Sequence, residues 1–226
     1  MLKKIIILFL LCCVSLLQAQ TKIDSVDTPS YLEDQIYLSL TYNGLMNSPK
    51  AVSQNGFSGG ISAGFIKDIP FNLNDNFGIG IGLGYGYNAY IQNIKITNEN
   101  NVTIFSLAED YKTNWLRLHT IELPFEIRWR NSTLEKYKFW RIYTGIKTSY
   151  IFTSKSKFTD FESTLITKNI KQLNKLQYGI IFSAGYSTWN LYIYYGLSPL
   201  FKNSSLNNSE ALKLNDFKVG LKFYIM

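Results

Sequence analysis

Apolar and polar residues alternate with a period of two along much of this chain, whereas the 3.6-residue spacing of an amphipathic helix is scarce. Successive side chains of a strand point to opposite faces, so each alternating segment predicts a strand with one apolar face. Eight segments have this pattern, at about residues 35–43, 57–66, 77–90, 116–130, 140–152, 176–186, 189–198 and 217–225.

The connections between the eight segments alternate between long and short. The long ones cover about residues 44–56, 92–114, 153–174 and 201–213, and the short ones about 67–76, 131–138 and 187–188. Bacterial outer-membrane barrels have long extracellular loops at one rim and short periplasmic turns at the other. The pattern therefore predicts an all-β fold, an eight-stranded antiparallel up-and-down transmembrane β-barrel.

One segment breaks its own alternation. Its apolar positions fall on odd numbers from Ile121 onward, but Leu116 and Leu118 lie on the other parity. A β-bulge shifts the facing of side chains by one residue. We therefore predict a bulge near His119 or Thr120.

A soluble lipocalin-like cup would also show alternating strands, with its apolar face turned inward. Three features favour lipid outside the barrel: the apolar face is continuous in all eight segments, the opposite face is too polar for a dry core, and aromatic residues recur near strand ends. Backbone amides in a bilayer need internal partners, so the lipid reading requires a closed barrel.

An eight-stranded barrel is just wide enough to be filled by its own side chains, so we expect no open pore. The polar face carries a predicted lumen charge network, in which Glu126 is expected to pair with Arg141 or Lys147. A structural role in neutralising a buried lumen is favoured over a proton or ion path. The predicted network consists of Glu122, Glu126, Arg128, Arg130, Arg141, Lys147, Lys218 and Lys222.

The third segment reads FGIGIGLGYGYNAY and has a glycine at every second position. Phosphate-binding loops need a different glycine spacing between a strand and a helix, so this run predicts a spanning strand instead. The missing side chains would leave room for long inward residues from other strands. The predicted lumen glycine face consists of Gly78, Gly80, Gly82, Gly84 and Gly86.

The first 19 residues have the features of a secretory signal peptide: Lys3 and Lys4, an apolar run too short to span a bilayer, and a cleavage site after Ala19. We expect a short periplasmic segment at 20–34, the barrel at 35–226, and export to the outer membrane. Cys12 and Cys13 lie inside the predicted signal, which excludes disulfides and thiolate metal sites from the mature protein.

Composition and charge exclude several function classes. The net charge is +7, and +5 without the two lysines of the predicted signal, with basic residues spread along the chain, so nucleic-acid binding is not expected. His119 is the single histidine and is interpreted as a rim residue rather than a catalytic one. The loop carboxylates, among them Asp160 and Glu162, lack the spacing of a cation loop. We expect no catalytic, cofactor or metal site, and no enzyme activity.

Three stretches carry a family resemblance: IELPFEIRW at residues 121–129, YYGLSPLF at 194–201 and FKVGLKFYI at 217–225. Together with the glycine-alternating strand, they resemble the PorT-like outer-membrane β-barrel family of Bacteroidota. The resemblance implies an eight-stranded outer-membrane barrel and, for the namesake of the family, a part in type IX protein secretion.

The leading functional hypothesis is a non-enzymatic outer-membrane barrel that acts through its extracellular loops, as an envelope or secretion-associated component or a surface-interaction protein. Its expected partners are outer-membrane lipid and envelope or secretion proteins, with the barrel itself monomeric. A small-substrate, porin-like channel and a lipid-modifying enzyme remain the alternatives.

Overall fold

The computed structural model describes residues 35–71, 76–99, 102–131, 139–206 and 210–225. The predicted signal peptide and the predicted segment at 20–34 lie outside these residues. The described chain forms thirteen strands: β1 Gln35–Met46, β2 Gly59–Pro70, β3 Phe77–Ile91, β4 Ile94–Glu99, β5 Val102–Leu107, β6 Thr113–Arg130, β7 Trp140–Thr159, β8 Thr164–Lys168, β9 Leu176–Tyr186, β10 Trp189–Pro199, β11 Ser205–Leu206, β12 Glu210–Ala211 and β13 Asn215–Ile225.

Eight of these strands form a closed antiparallel barrel. Hydrogen-bonded neighbours follow the order β6-β3-β2-β1-β13-β10-β9-β7, and a further pairing of β6 with β7 closes the ring. Strands adjacent in the ring are consecutive barrel strands along the chain, except that the last, β13, pairs with the first, β1. The predicted eight-stranded up-and-down barrel is confirmed.

The barrel is apolar outside and polar inside, the reverse of a soluble cup. Large apolar side chains on the outer face are exposed, as with Leu83 at 59%. The charged side chains of the inner face are buried, as with Arg128 at 0%. Only a hydrocarbon surround removes the cost of so much exposed apolar surface, which is the arrangement of a membrane barrel.

No helix of the described residues is both long and apolar enough to cross a bilayer.

The predicted bulge is present, but its extra residue lies in the neighbouring strand. The pairing of β6 with β7 shifts between His119 and Thr120, which face Thr153 and Ile151. Phe152 of β7 is therefore the residue without a counterpart, and both Phe152 and Thr153 are exposed. Along β6 itself, exposed and buried positions alternate without interruption.

Leu116 and Leu118 consequently face inward, on the same side as the charged residues lower in β6. They belong to an apolar cluster at the end of the barrel where the long connections lie, here called the loop end. The opposite end, with the short connections, is the turn end. The apolar residues of β6 change parity because charged side chains fill the lower interior and apolar side chains fill the interior at the loop end.

The long connections fold into a structured cap at the loop end. The cap comprises β4, β5, β8, β11, β12 and the described residues that join them to the barrel. A second sheet has the order β12-β11-β5-β4, and β8 pairs with the upper part of β7. The cap core, with the barrel residues that pack against it, consists of Val52, Tyr90, Ile94, Ile96, Phe105, Leu116, Leu118, Ile151, Ile170, Leu173, Leu200, Phe201, Leu206, Leu212 and Leu214.

Candidate functional site

Glu126 lies at the centre of the buried charges near the turn end. One of its carboxylate oxygens accepts from Lys222 Nζ of β13 at 2.7 Å, and the other from Arg128 Nη2 at 3.1 Å. The hydroxyl of Tyr224 donates to the first oxygen at 3.2 Å. One carboxylate therefore joins two cations and a phenol from strands on different sides of the lumen.

The expected pairing of Glu126 with Arg141 or Lys147 is wrong in detail. Lys147 lies opposite Pro124, midway in register between the two carboxylates, and pairs with Glu122 at 2.9 Å. Arg141 lies beside the tight β9–β10 turn, where it donates to the carbonyl oxygen of Ser187 and stacks on Phe139.

Asp68 completes the turn-end cluster, and the sequence reasoning missed it. Its two carboxylate oxygens bind Arg128 Nη1 at 3.0 Å and Arg130 Nη1 at 2.6 Å. β2 continues four residues beyond its predicted end, to Pro70, which pairs with Gly78 of β3. Asp68 shares the inward parity of Ser62 and Ile66, so a longer strand would have placed it in the lumen from sequence alone.

Lys218 lies higher in the lumen, away from Glu126. Its ammonium group pairs with Asp216 at 3.1 Å and donates to Asn88 Oδ1 at 2.6 Å. The predicted charge network is therefore divided into three parts along the barrel, centred on Glu126 with Asp68, on Glu122, and on Asp216.

Tyrosine rings fill the space between the ion pairs. The ammonium group of Lys222 lies 4.5 Å from the ring centre of Tyr37, and that of Lys147 lies 4.7 Å from the ring of Tyr194. The guanidinium of Arg128 lies 4.8 Å from the ring of Tyr143. Such cation–π contacts stabilise charges where water is excluded. The sequence pattern placed these tyrosines on the polar face but gave them no role.

The glycine face of β3 makes room for these large side chains. A Cβ atom on Gly84 would overlap the hydroxyl of Tyr37, and one on Gly80 would overlap the guanidinium of Arg128. At Gly82 it would lie 2.7 Å from both Ile66 Cγ1 and the carbonyl oxygen of Phe65. Glycine is therefore required here by close packing against atoms of β1, β2 and β6.

Two small cavities lie inside the barrel among the described residues. A cavity of about 20 Å³ lies beneath the cap core, lined in part by Asn88, Thr120 and Glu122. A second cavity, of about 10 Å³, lies near Ser39 and Lys147. Each has about the volume needed for one water molecule. Among the described residues, the charges, the tyrosines and the cap core occupy much of the lumen.

The remaining candidates from the sequence lie outside the lumen. His119 faces outward, and its Nδ1 lies 2.6 Å from the hydroxyl of Tyr85 in a group of aromatic rings that includes Tyr87 and Phe152. Asp160 accepts from the backbone N–H groups of Ser163 and Glu162, which lowers the pKa of this loop carboxyl. Its hydrogen bonds build a turn.

In the described part of the chain, no group of three or more histidine, cysteine, aspartate or glutamate residues is placed to hold a metal ion.

A surface cleft of about 500 Å³ opens on the side of the cap. Ile91 and Trp115 form its apolar part, and Glu109, Tyr111 and Lys112 supply polar groups. The sequence reasoning missed the cleft, because its walls come from separate connections that the alternation pattern does not bring together.

A protein family described as Outer membrane protein beta-barrel domain matches residues 18–202. The chain belongs to this family. β13 lies beyond the matched residues, yet it closes the barrel through its pairs with β1 and β10. The family and the inverted polarity of the barrel agree, and the protein is an outer-membrane β-barrel.

Among solved structures, the chain is similar to the crystal structure of Ail, the attachment invasion locus protein of Yersinia pestis. The two are 10% identical with a TM-score of 0.32, over 85% of this chain and 97% of that one. The comparison with curated proteins finds no significant match.

Proposed function

We propose that this protein is a non-enzymatic outer-membrane barrel that acts through the surface of its cap, as an envelope component or a surface-interaction protein. The single observation that carries the proposal is the combination of a closed lumen with a structured loop end. A lumen filled by ion pairs and tyrosines leaves the cap as the part of the molecule that meets partners.

The cap is suited to this task because it is folded and still has apolar groups on its surface. Phe161, at 72% exposed, lies three residues before β8, and Ile166, at 50%, lies in the middle of β8. The 500 Å³ cleft lies on the same cap. Exposed apolar groups with nearby polar ones are the composition of protein-binding surfaces. The cap would face the outside of the cell, as long connections do in such barrels.

The experiment compares surface variants of the cap with the unchanged barrel. We expect wild-type protein isolated from cross-linked cells to carry one or more specific envelope proteins, and Phe161→Ser with Ile166→Ser to reduce that amount at least fivefold. The matched control is Phe71→Ser, since Phe71 is 61% exposed at the turn end. Equal recovery of partners with the cap variant and wild type would refute the proposal.

A narrower proposal is a role in protein secretion, supported by the resemblance of residues 121–129 to the PorT-like family. Secretion of exported proteins would be measured in a deletion strain complemented with wild type or the cap variant. Normal secretion in the deletion strain would refute this narrower role and leave the cap proposal standing.

A further inference from the structure

Three basic side chains form a row across neighbouring strands on the outer surface at the loop end. Arg117 of β6 pairs in register with Lys155 of β7, which in turn pairs with Lys168 of β8. Residues directly opposite in antiparallel strands have their Cβ atoms about 5 Å apart, so the row spans about 10 Å. We call Arg117, Lys155 and Lys168 the basic row.

The basic row stands without a carboxylate partner among the described residues. Within the described residues, none of its three members forms an ion pair with a carboxylate. Like charges placed directly opposite one another destabilise a sheet. An anion that bridged the three cations would remove this repulsion.

Trp115 holds part of the row in place. The guanidinium of Arg117 lies 3.8 Å from the ring centre of Trp115, and the ammonium group of Lys155 lies 5.7 Å from it. A guanidinium stacked on a ring keeps its N–H groups free at the edge, which suits them to bind phosphate. Arg117 is therefore oriented without its donors being consumed.

The position of the row matches the headgroup layer of a membrane. Two residues below Arg117 and Lys155, the outward positions are His119 and Thr153, at the level of the aromatic group with Tyr87. Aromatic belts mark the border between hydrocarbon and headgroups. Two strand residues span about 7 Å, which sets the row just above this border.

The row of charges ends at β6. Along the same register row in the other direction, Arg117 pairs with Ala89 of β3, which pairs with Gly59 of β2. Neither residue carries a charge. What distinguishes the basic row from the other exposed lysines of the loop end is that its three cations lie on directly paired residues of neighbouring strands.

We propose that the basic row binds the phosphate-bearing headgroup of an anionic lipid in the outer leaflet, with the acyl chains lying against the aromatic group below. A soluble phosphate compound shares the charge but gains nothing from that apolar surface. The proposal depends on the membrane placement of the barrel and is independent of the proposed role of the cap.

The test uses the folded full-length protein in detergent, with lipid binding measured by native mass spectrometry. The probes are phosphatidylglycerol and phosphatidylcholine with the same acyl chains. We expect wild type to prefer phosphatidylglycerol by about tenfold or more, since each basic residue near a membrane adds substantially to anionic lipid affinity. The variant Arg117→Gln, Lys155→Gln, Lys168→Gln should lose this preference.

The matched control removes the same charge elsewhere at the loop end, through Lys171→Gln, Lys202→Gln and Lys213→Gln, all exposed positions. This control should keep the preference. Loss of preference in both triple variants, or in neither, would overturn the proposal. Displacement of the lipid by equimolar inorganic phosphate would also overturn it, because the site would then recognise phosphate alone. Lys168→Gln alone, at the end of β8, serves if the triple variant does not fold, and should weaken the preference at least twofold.

Discussion

Replacing Glu126 by glutamine is the sharpest test of the lumen described above. The substitution keeps the shape of the side chain and removes one negative charge from a site that is 1% exposed. Lys222 and Arg128 would then face an uncharged amide where each now has a carboxylate oxygen, at 2.7 and 3.1 Å.

The expected loss of stability depends on which interaction partners Lys222 and Arg128 keep after the substitution. Removal of one member of a buried ion pair costs about 3–5 kcal/mol. Arg128 keeps Asp68 at 3.0 Å, so most of the loss should come from Lys222, whose other described contacts are tyrosine rings. We therefore expect Glu126→Gln to lower the free energy of unfolding by about 3 kcal/mol, the lower end of that range.

The assay is urea unfolding of the barrel refolded in lipid vesicles, followed by tryptophan fluorescence. Leu83→Ile on the outer face is the control and should change stability by less than about 0.5 kcal/mol, as surface changes usually do. In a double-mutant cycle with Lys222→Met, the coupling energy should be at least about 1 kcal/mol. A change below about 0.5 kcal/mol for Glu126→Gln would refute the central role of this carboxylate.

Two further predictions concern packing, and a third concerns His119. Gly84→Ala should destabilise the barrel by about 1–3 kcal/mol, because the added Cβ forces Tyr37 aside. Gly44→Ala should be tolerated, since its Cβ would lie 3.8 Å from Phe217. Equal effects of the two substitutions in urea unfolding would contradict this prediction. Leu214→Ala should cost the cap about 2–5 kcal/mol and expose it to protease while the barrel stays folded, and an unchanged cleavage rate would count against a packed cap. His119→Ala should leave lipid composition unaltered by mass spectrometry, and a lost lipid modification would show that the residue is catalytic.

The alternation of residues predicted the barrel because an inward and an outward face are imposed on every strand by the pleat. The eight strands and the facing of their side chains follow from that period of two. The parity change at His119 instead marks the level at which apolar side chains replace charges in the interior. The pattern could not assign the extra residue to β7, because a bulge displaces the pairing of two strands and the sequence of one strand shows only its own parity.

The alternation of residues could not predict the cap or the partners within the ion pairs, for a different reason. Leu212 lies in the long connection at about residues 201–213 and Leu214 directly follows it, yet both pack with residues from distant connections. Which lysine meets Glu126 depends on the stagger of β13 relative to β6 across the lumen. Such contacts join residues that are far apart in the sequence, and the alternation of residues within one strand does not indicate them.

The central claim is that the lumen is closed, and ion conductance in planar bilayers tests it most directly. Purified wild-type protein should insert without producing stepwise current, because the ion pairs around Glu126 and the cap core each block the passage. Stable, uniform conductance steps from folded wild-type protein would contradict the account and favour the channel alternative.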